Sequence, residues 1–143
     1  KEDGIVKSQK ILLTWLIEDV SIFRQIEPYI TPSDFSGDLY RTVAELLYEQ
    51  YEAGDVNPAK IMNHFTDEEE HREVASLFHT KIRELTTVKE QEKALKETVL
   101  RVKNHSIEVA TRNLEPTDMK GLQRLMEVKS KMQDIQKLHI SVN

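Results

Sequence analysis

The chain is 143 residues long, carries a formal charge of −5 and contains no cysteine. Its length fits one domain, or one domain with a small appendage, and the missing thiols exclude a disulfide scaffold, a thiolate zinc site and a cysteine nucleophile. With 38% hydrophobic residues the chain is too apolar for wholesale disorder, and four glycines and four prolines are too few for the turns of a small β-sandwich or barrel.

Every strongly periodic segment reads as helix. From Lys7 to Glu18, the residues Ile11, Leu12, Trp15 and Leu16 recur at steps of three and four, the spacing of one buried helix face. Asp19 is placed to cap a short second helix with Ile22, Phe23 and Ile26 inward, ending before Pro28. Thr31-Pro32-Ser33-Asp34 predicts one capped helical turn, with Pro32 at the first helical position where no N–H partner is lost. A clean helix follows from about Leu39 to Glu52, carrying Leu39, Val43, Leu46, Leu47 and Tyr51 on one side and stopping at Gly54. Asn57-Pro58 opens a short helix with Ile61, Met62 and Phe65. Thr66-Asp67-Glu68-Glu69 reads as a capping box, with Thr66 as the cap of a helix that buries Val74, Leu77, Phe78, Ile82 and Leu85.

The chemistry changes after Thr86. Residues 1–85 hold nine Lys and Arg against seventeen Asp and Glu, a net of −8, whereas residues 86–143 hold eleven against eight, a net of +3. The acidic front half repels phosphate backbones, and the mild positive excess behind it is too dilute for a nucleic-acid patch. Two structural units are expected: a helical body over 1–86 and a long helix with a C-terminal hairpin over 87–143. Thr87-Val88-Lys89-Glu90 is a second capping box, and no Gly or Pro interrupts the chain from there to Pro116. One helix of about 25 residues, roughly 38 Å, is predicted. Its seam is thin: Val88, Leu95, Val99, Val102 and Val109. Pro116 breaks it, and Thr117 or Asp118 can cap a last helix to about Leu138 with Leu122, Leu125, Val128, Met132 and Ile135 at steps of three and four. The fold class is therefore all-α, a compact body followed by a long helix and an antiparallel helical hairpin. So thin a seam makes the hairpin the less stable part unless something docks on it.

Catalytic chemistry has little to stand on. The chain has no phosphate-cradling glycine loop and no nucleophile elbow. Its five histidines are dispersed, and the one Glu-x-x-His, Glu68 to His71, has no second copy to complete a di-iron site. The acidic run Asp67 to Glu70 lacks calcium-loop spacing and suits a solvated helix start. Trp15, Phe23, Phe35, Phe65 and Phe78 lie at helical core positions without interleaved Lys or Arg, so they read as core and not as a base-stacking platform. No apolar run exceeds four residues, which leaves no membrane span or signal peptide. The expectation is a non-catalytic helical binding module with no metal and no cofactor.

The segment Leu12-Leu13-Thr14-Trp15-Leu16-Ile17-Glu18-Asp19, then Ile26-Glu27-Pro28-Tyr29-Ile30-Thr31-Pro32-Ser33-Asp34-Phe35 and Leu39-Tyr40-Arg41-Thr42-Val43-Ala44-Glu45-Leu46-Leu47, resembles the carboxy-terminal domain of bacterial primase, DnaG. The resemblance is specific over roughly residues 8–85 and covers the hairpin by architecture. It implies a cytoplasmic bacterial module without a catalytic role, monomeric when isolated, that docks on the amino-terminal domains of the replicative helicase DnaB. It also implies that the zinc-binding and polymerising domains lie upstream, in keeping with a chain that starts at Lys1 and lacks Cys. The amino-terminal domain of DnaB is similar in fold and is the rival reading; it tends to self-associate, and this chain has Gln9-Lys10-Ile11-Leu12-Leu13 where that family's first helix carries Ala-Glu followed by Val-Leu-Gly. The candidate docking residues are Leu122, Leu125, Met126, Lys129 and Met132, some of which must instead form the hairpin's own seam. Met side chains adapt to a partner groove, and Arg124, Lys129, Lys131 and Lys137 would supply a basic rim.

Overall fold

The computed structural model describes residues 4–79 and 87–142, and among these every regular element is helical. In chain order they are α1 (Gly4–Glu18), α2 (Val20–Ile26), a single 3₁₀ turn (Pro32–Asp34), α3 (Asp38–Ala53), α4 (Pro58–His64), α5 (Glu68–His79), α6 (Val88–Arg112) and α7 (Met119–Lys137). Ile82 and Leu85, expected in the core, lie outside the described residues.

The local signals act as their chemistry dictates. The Asp19 carboxylate accepts from the N–H groups of Ser21 and Ile22, Asn57 from Lys60, Thr87 from Glu90 and Asp118 from Gly121, each satisfying a donor that the helix itself cannot. Gly54 adopts φ 75°, the left-handed conformation that ends α3. One cap differs from expectation. Asp67, not Thr66, starts α5, its carboxylate accepting from the Glu70 N–H at 3.0 Å. Two cap-competent residues stand side by side there, and the charged one also favours the positive end of the helix.

α1 is the axis of the molecule. It touches α2, α3, α5 and, most extensively, α6. Because four helices pack around it, α1 is buried beyond the single face that its spacing suggests: Leu13 and Gln9 are fully buried alongside Leu12, Trp15 and Leu16, while Ile11 is only partly so. Packing is continuous across the change of composition near residue 86, since Leu95, Val99, Val102 and Ile135 share one apolar cluster with Leu12, Phe23 and Leu47. α6 is thus held more firmly than its thin seam implies. Val88 is half exposed, but Ile107 is buried, and the polar Gln91, Thr98 and Lys103 go under as well.

Those buried polar groups are paired, as burial requires. Lys103 Nζ lies 3.1 Å from Asp34 Oδ2 with both side chains almost wholly covered. Asp34 also accepts from Ser106 Oγ at 2.7 Å and from the Thr31 N–H at 2.8 Å, so one carboxylate closes the 3₁₀ turn and ties it to α6. Aromatic residues do similar work in α3. Phe23 stacks on Tyr51 at 4.1 Å between centroids, and the Tyr51 and Tyr48 hydroxyls donate to the carbonyls of Leu16 and Ile30. Burial pushes both phenols up, away from ionisation.

Irregular segments are pinned by a repeated device. Among the described residues, three glutamine side chains each bond both the N–H and the C=O of a single residue outside the helices. Gln9 holds Ser36 at 2.7 and 3.0 Å, Gln50 holds Asn57 at 2.8 and 3.0 Å, and Gln25 holds Ser141 at 2.8 and 3.0 Å. A carboxamide presents one acceptor and two donors and so can imitate a backbone partner. Each clip supplies hydrogen bonds to backbone that no helix provides for.

Candidate functional site

Among the described residues, three of the six large apolar side chains left exposed lie on α7. Gly121, Leu125 and Ile135 are buried along its inner side, with Val128 and Met132 half-buried. Met119, Leu122 and Met126 stand at i, i+3 and i+7, away from that side, and are 64, 39 and 61% exposed. A helix places such positions on one face. Lys129 is exposed beside them and gives the stripe a basic edge, while Lys120 and Arg124 are exposed further round the helix, Arg124 on the side that faces α6. Of the five residues singled out by sequence, Leu122, Met126 and Lys129 therefore face solvent, whereas Leu125 is 7% exposed against the interior and Met132 packs on the main core. Met119 belongs to the outward set too. It lies seven residues before Met126 and extends the outward set by about two turns.

The helix start that carries the stripe is tightly built. Asp118 caps α7, and Gly121 leaves room for it: a Cβ on Gly121 would stand 2.8 Å from Leu114 Cδ1 and would collide with the Asp118 carboxylate. This elbow also walls a cleft of about 460 Å³ between the 3₁₀ turn, α6 and α7. Asp34, His105 and Ser106 all line it, the residue types of a hydrolytic triad. Their wiring differs from one. Ser106 donates to Asp34, and His105 Nδ1 is buried with no hydrogen-bond partner among the described residues, so it does not accept the Ser106 hydroxyl.

Elsewhere, the Glu73 carboxylate on α5 accepts from Lys10 of α1 at 2.6 Å and from the Tyr40 hydroxyl of α3 at 2.9 Å. The Lys10 contact leads in holding its pKa below the usual glutamate range, opposed by partial burial and helped by Tyr40. No three His, Asp or Glu side chains among the described residues are grouped to hold a metal ion, and no described helix is long and apolar enough to cross a membrane. Glu68 of the Glu-x-x-His pairs with Arg72 at 3.7 Å, the ordinary i, i+4 surface contact.

Comparison of the chain with protein-family models, with curated proteins and with solved structures finds no match.

Proposed function

We propose that this chain is a non-catalytic helicase-binding module of a bacterial DNA primase, which docks primase on the amino-terminal domains of the replicative helicase DnaB and so couples RNA primer synthesis to DNA unwinding. In this reading it acts in the bacterial cytoplasm as a monomer, needs no cofactor and does not itself grip nucleic acid.

The observation that carries the proposal is the exposed apolar stripe of Met119, Leu122 and Met126 on α7. Its residues contribute little to the fold, lie on a regular helix and are adaptable in shape, which suits a helix-in-groove contact. The basic edge would speed encounter with an acidic partner surface. The resemblance over residues 8–85 supplies the identity of that partner, and the all-helical architecture agrees with it.

Calorimetric titration of the chain into hexameric DnaB tests the proposal. Saturable binding with a negative heat-capacity change is expected, because apolar surface is removed from water on both sides. A stable homodimer in light scattering, together with no heat on mixing with helicase, would overturn it and favour the amino-terminal domain of the helicase.

A further inference from the structure

After α7 the chain does not simply end in solvent. Leu138 leaves the helix with extended backbone, and the next residues run back over α2 and α6 with alternate side chains inward. Ile140 and Val142 are 2 and 3% exposed, while His139 between Leu138 and Ile140 faces out. This five-residue strap is read mainly through its backbone. Gln25 of α2 bonds the N–H and C=O of Ser141, and Glu92 Oε2 of α6 accepts the Val142 N–H at 2.8 Å. Gln25 and Glu92 thus do for the strap what the edge of a sheet does for an added strand, without any sheet. Two apolar sockets spaced two residues apart provide the side-chain selection.

On its α6 side the strap borders an open cleft lined by Lys89, Lys93, Lys96 and Lys137 together with Glu90 and Glu92. Among the described residues Lys89, Lys93 and Lys137 form no ion pair. The nearby acids are already engaged: Glu90 accepts from the Thr87 hydroxyl, and Glu92 serves Val142 and His139. The strap itself brings no carboxylate side chain to this cleft, and its neighbour Lys137 adds a like charge.

We infer that the α2–α6 groove is a docking site for an extended segment of a partner protein, with aliphatic residues at alternate positions and an acidic residue beside them, and that residues 138–142 occupy it in cis until such a segment displaces them. The backbone contacts accept any residue at the clipped position, so a foreign segment loses nothing there. Its carboxylate gains a cleft that sets four lysines against two glutamates and to which the resident strap adds no acid. The surface is separate from the outward stripe of α7, and its test involves no helicase.

The probe is a labelled peptide of residues 136–142 carrying Lys137→Asp, titrated by fluorescence anisotropy against the full chain and against the full-length double variant Ile140→Asp/Val142→Asp, whose own strap is expelled. A tethered segment competes at an effective concentration on the order of millimolar, so the peptide should bind the double variant at least about tenfold more tightly than the parent. It should also bind more tightly than the peptide with Lys137 retained, a difference that closes at high salt, and adding Gln25→Ala should remove binding. Equal affinity for parent and double variant, or no preference for the acidic peptide, overturns the inference. If circular dichroism shows the double variant unfolded, hydrogen exchange on the unmodified chain decides. Millimolar acidic peptide should change protection at the Ser141 and Val142 amides, and unchanged protection at both contradicts displacement.

Discussion

α1 and α7 are both amphipathic by sequence, yet they meet opposite fates. Seven of the fifteen residues of α1 are buried, including Ser8, Gln9 and Thr14, whereas α7 buries three of nineteen. The difference comes from neighbours. α1 is enclosed by four helices, so even its polar residues must find partners inside, while α7 rests on α6 along one side and leaves Met119, Leu122 and Met126 in water. A helix that carries the core has no surface to spend on a partner. One that contributes little to the core can present its apolar residues outward, and an exposed apolar stripe calls for a role that scattered single residues do not.

The contrast can be pressed hardest at Leu16. It is wholly buried among α1's neighbours, and Leu16→Ala should cost about 2–5 kcal/mol in urea denaturation, through lost burial and a cavity that rigid neighbours cannot fill. A loss below about 1 kcal/mol would mean that α1 is not the enclosed axis described above. Next comes Gln9. Gln9→Ala strips the Ser36 N–H and C=O of their partner in a partly buried setting, a cost of about 1 kcal/mol. Gln9→Glu should not rescue it, because a carboxylate cannot donate to the Ser36 carbonyl.

A smaller effect attaches to Glu73. Its depressed pKa means that the ionised form stabilises the fold, so the contribution is present above the ordinary glutamate value of about 4.3 and is lost as the pH falls through the lower folded value. Glu73→Gln should therefore be less stable than the parent at neutral pH, by under about 1 kcal/mol since Lys10 and Glu73 are both partly open to water. The two proteins should converge in acid. A gap that persists or widens there would assign the effect to something other than the charge.

Much of this architecture was legible in the residues. Cap chemistry is local, so Asp19, Pro32, Asn57-Pro58, Gly54 and Thr87 mark their boundaries without help from the fold. The periodic residues of α3 and α7 likewise point to their buried sides, through Val43, Leu47 and Tyr51 and through Leu125 and Ile135. What could not be read depends on segments far apart in sequence. Gln9 goes under where the chain at Ser36 crosses it, and Ser8 where α6 arrives, as the Arg101 to Ser8 bond illustrates with a separation of 93. The glutamine clips were invisible because a Gln on a helix reads as solvated surface until a loop crosses it. The strap is too short for periodicity to speak, and only its contact with Gln25 and Glu92 reveals it. The candidate docking residues divide for the same reason. Leu122 belongs to the same periodic pattern as Leu125 and Met132, and only the position of α6 leaves it outward with Met126.

The central claim is that the outer face of α7 serves binding and not folding. Leu122→Asp/Met126→Asp places two charges on that face while leaving Leu125 and Ile135 in place, and the variant should be titrated against hexameric DnaB beside a thermal melt. Unfolding within about 0.5 kcal/mol of the parent, as for surface substitutions generally, together with at least about a hundredfold weaker binding, the scale of losing central contacts worth over 2 kcal/mol, is the predicted result. Undiminished helicase binding by a fully folded variant would contradict it.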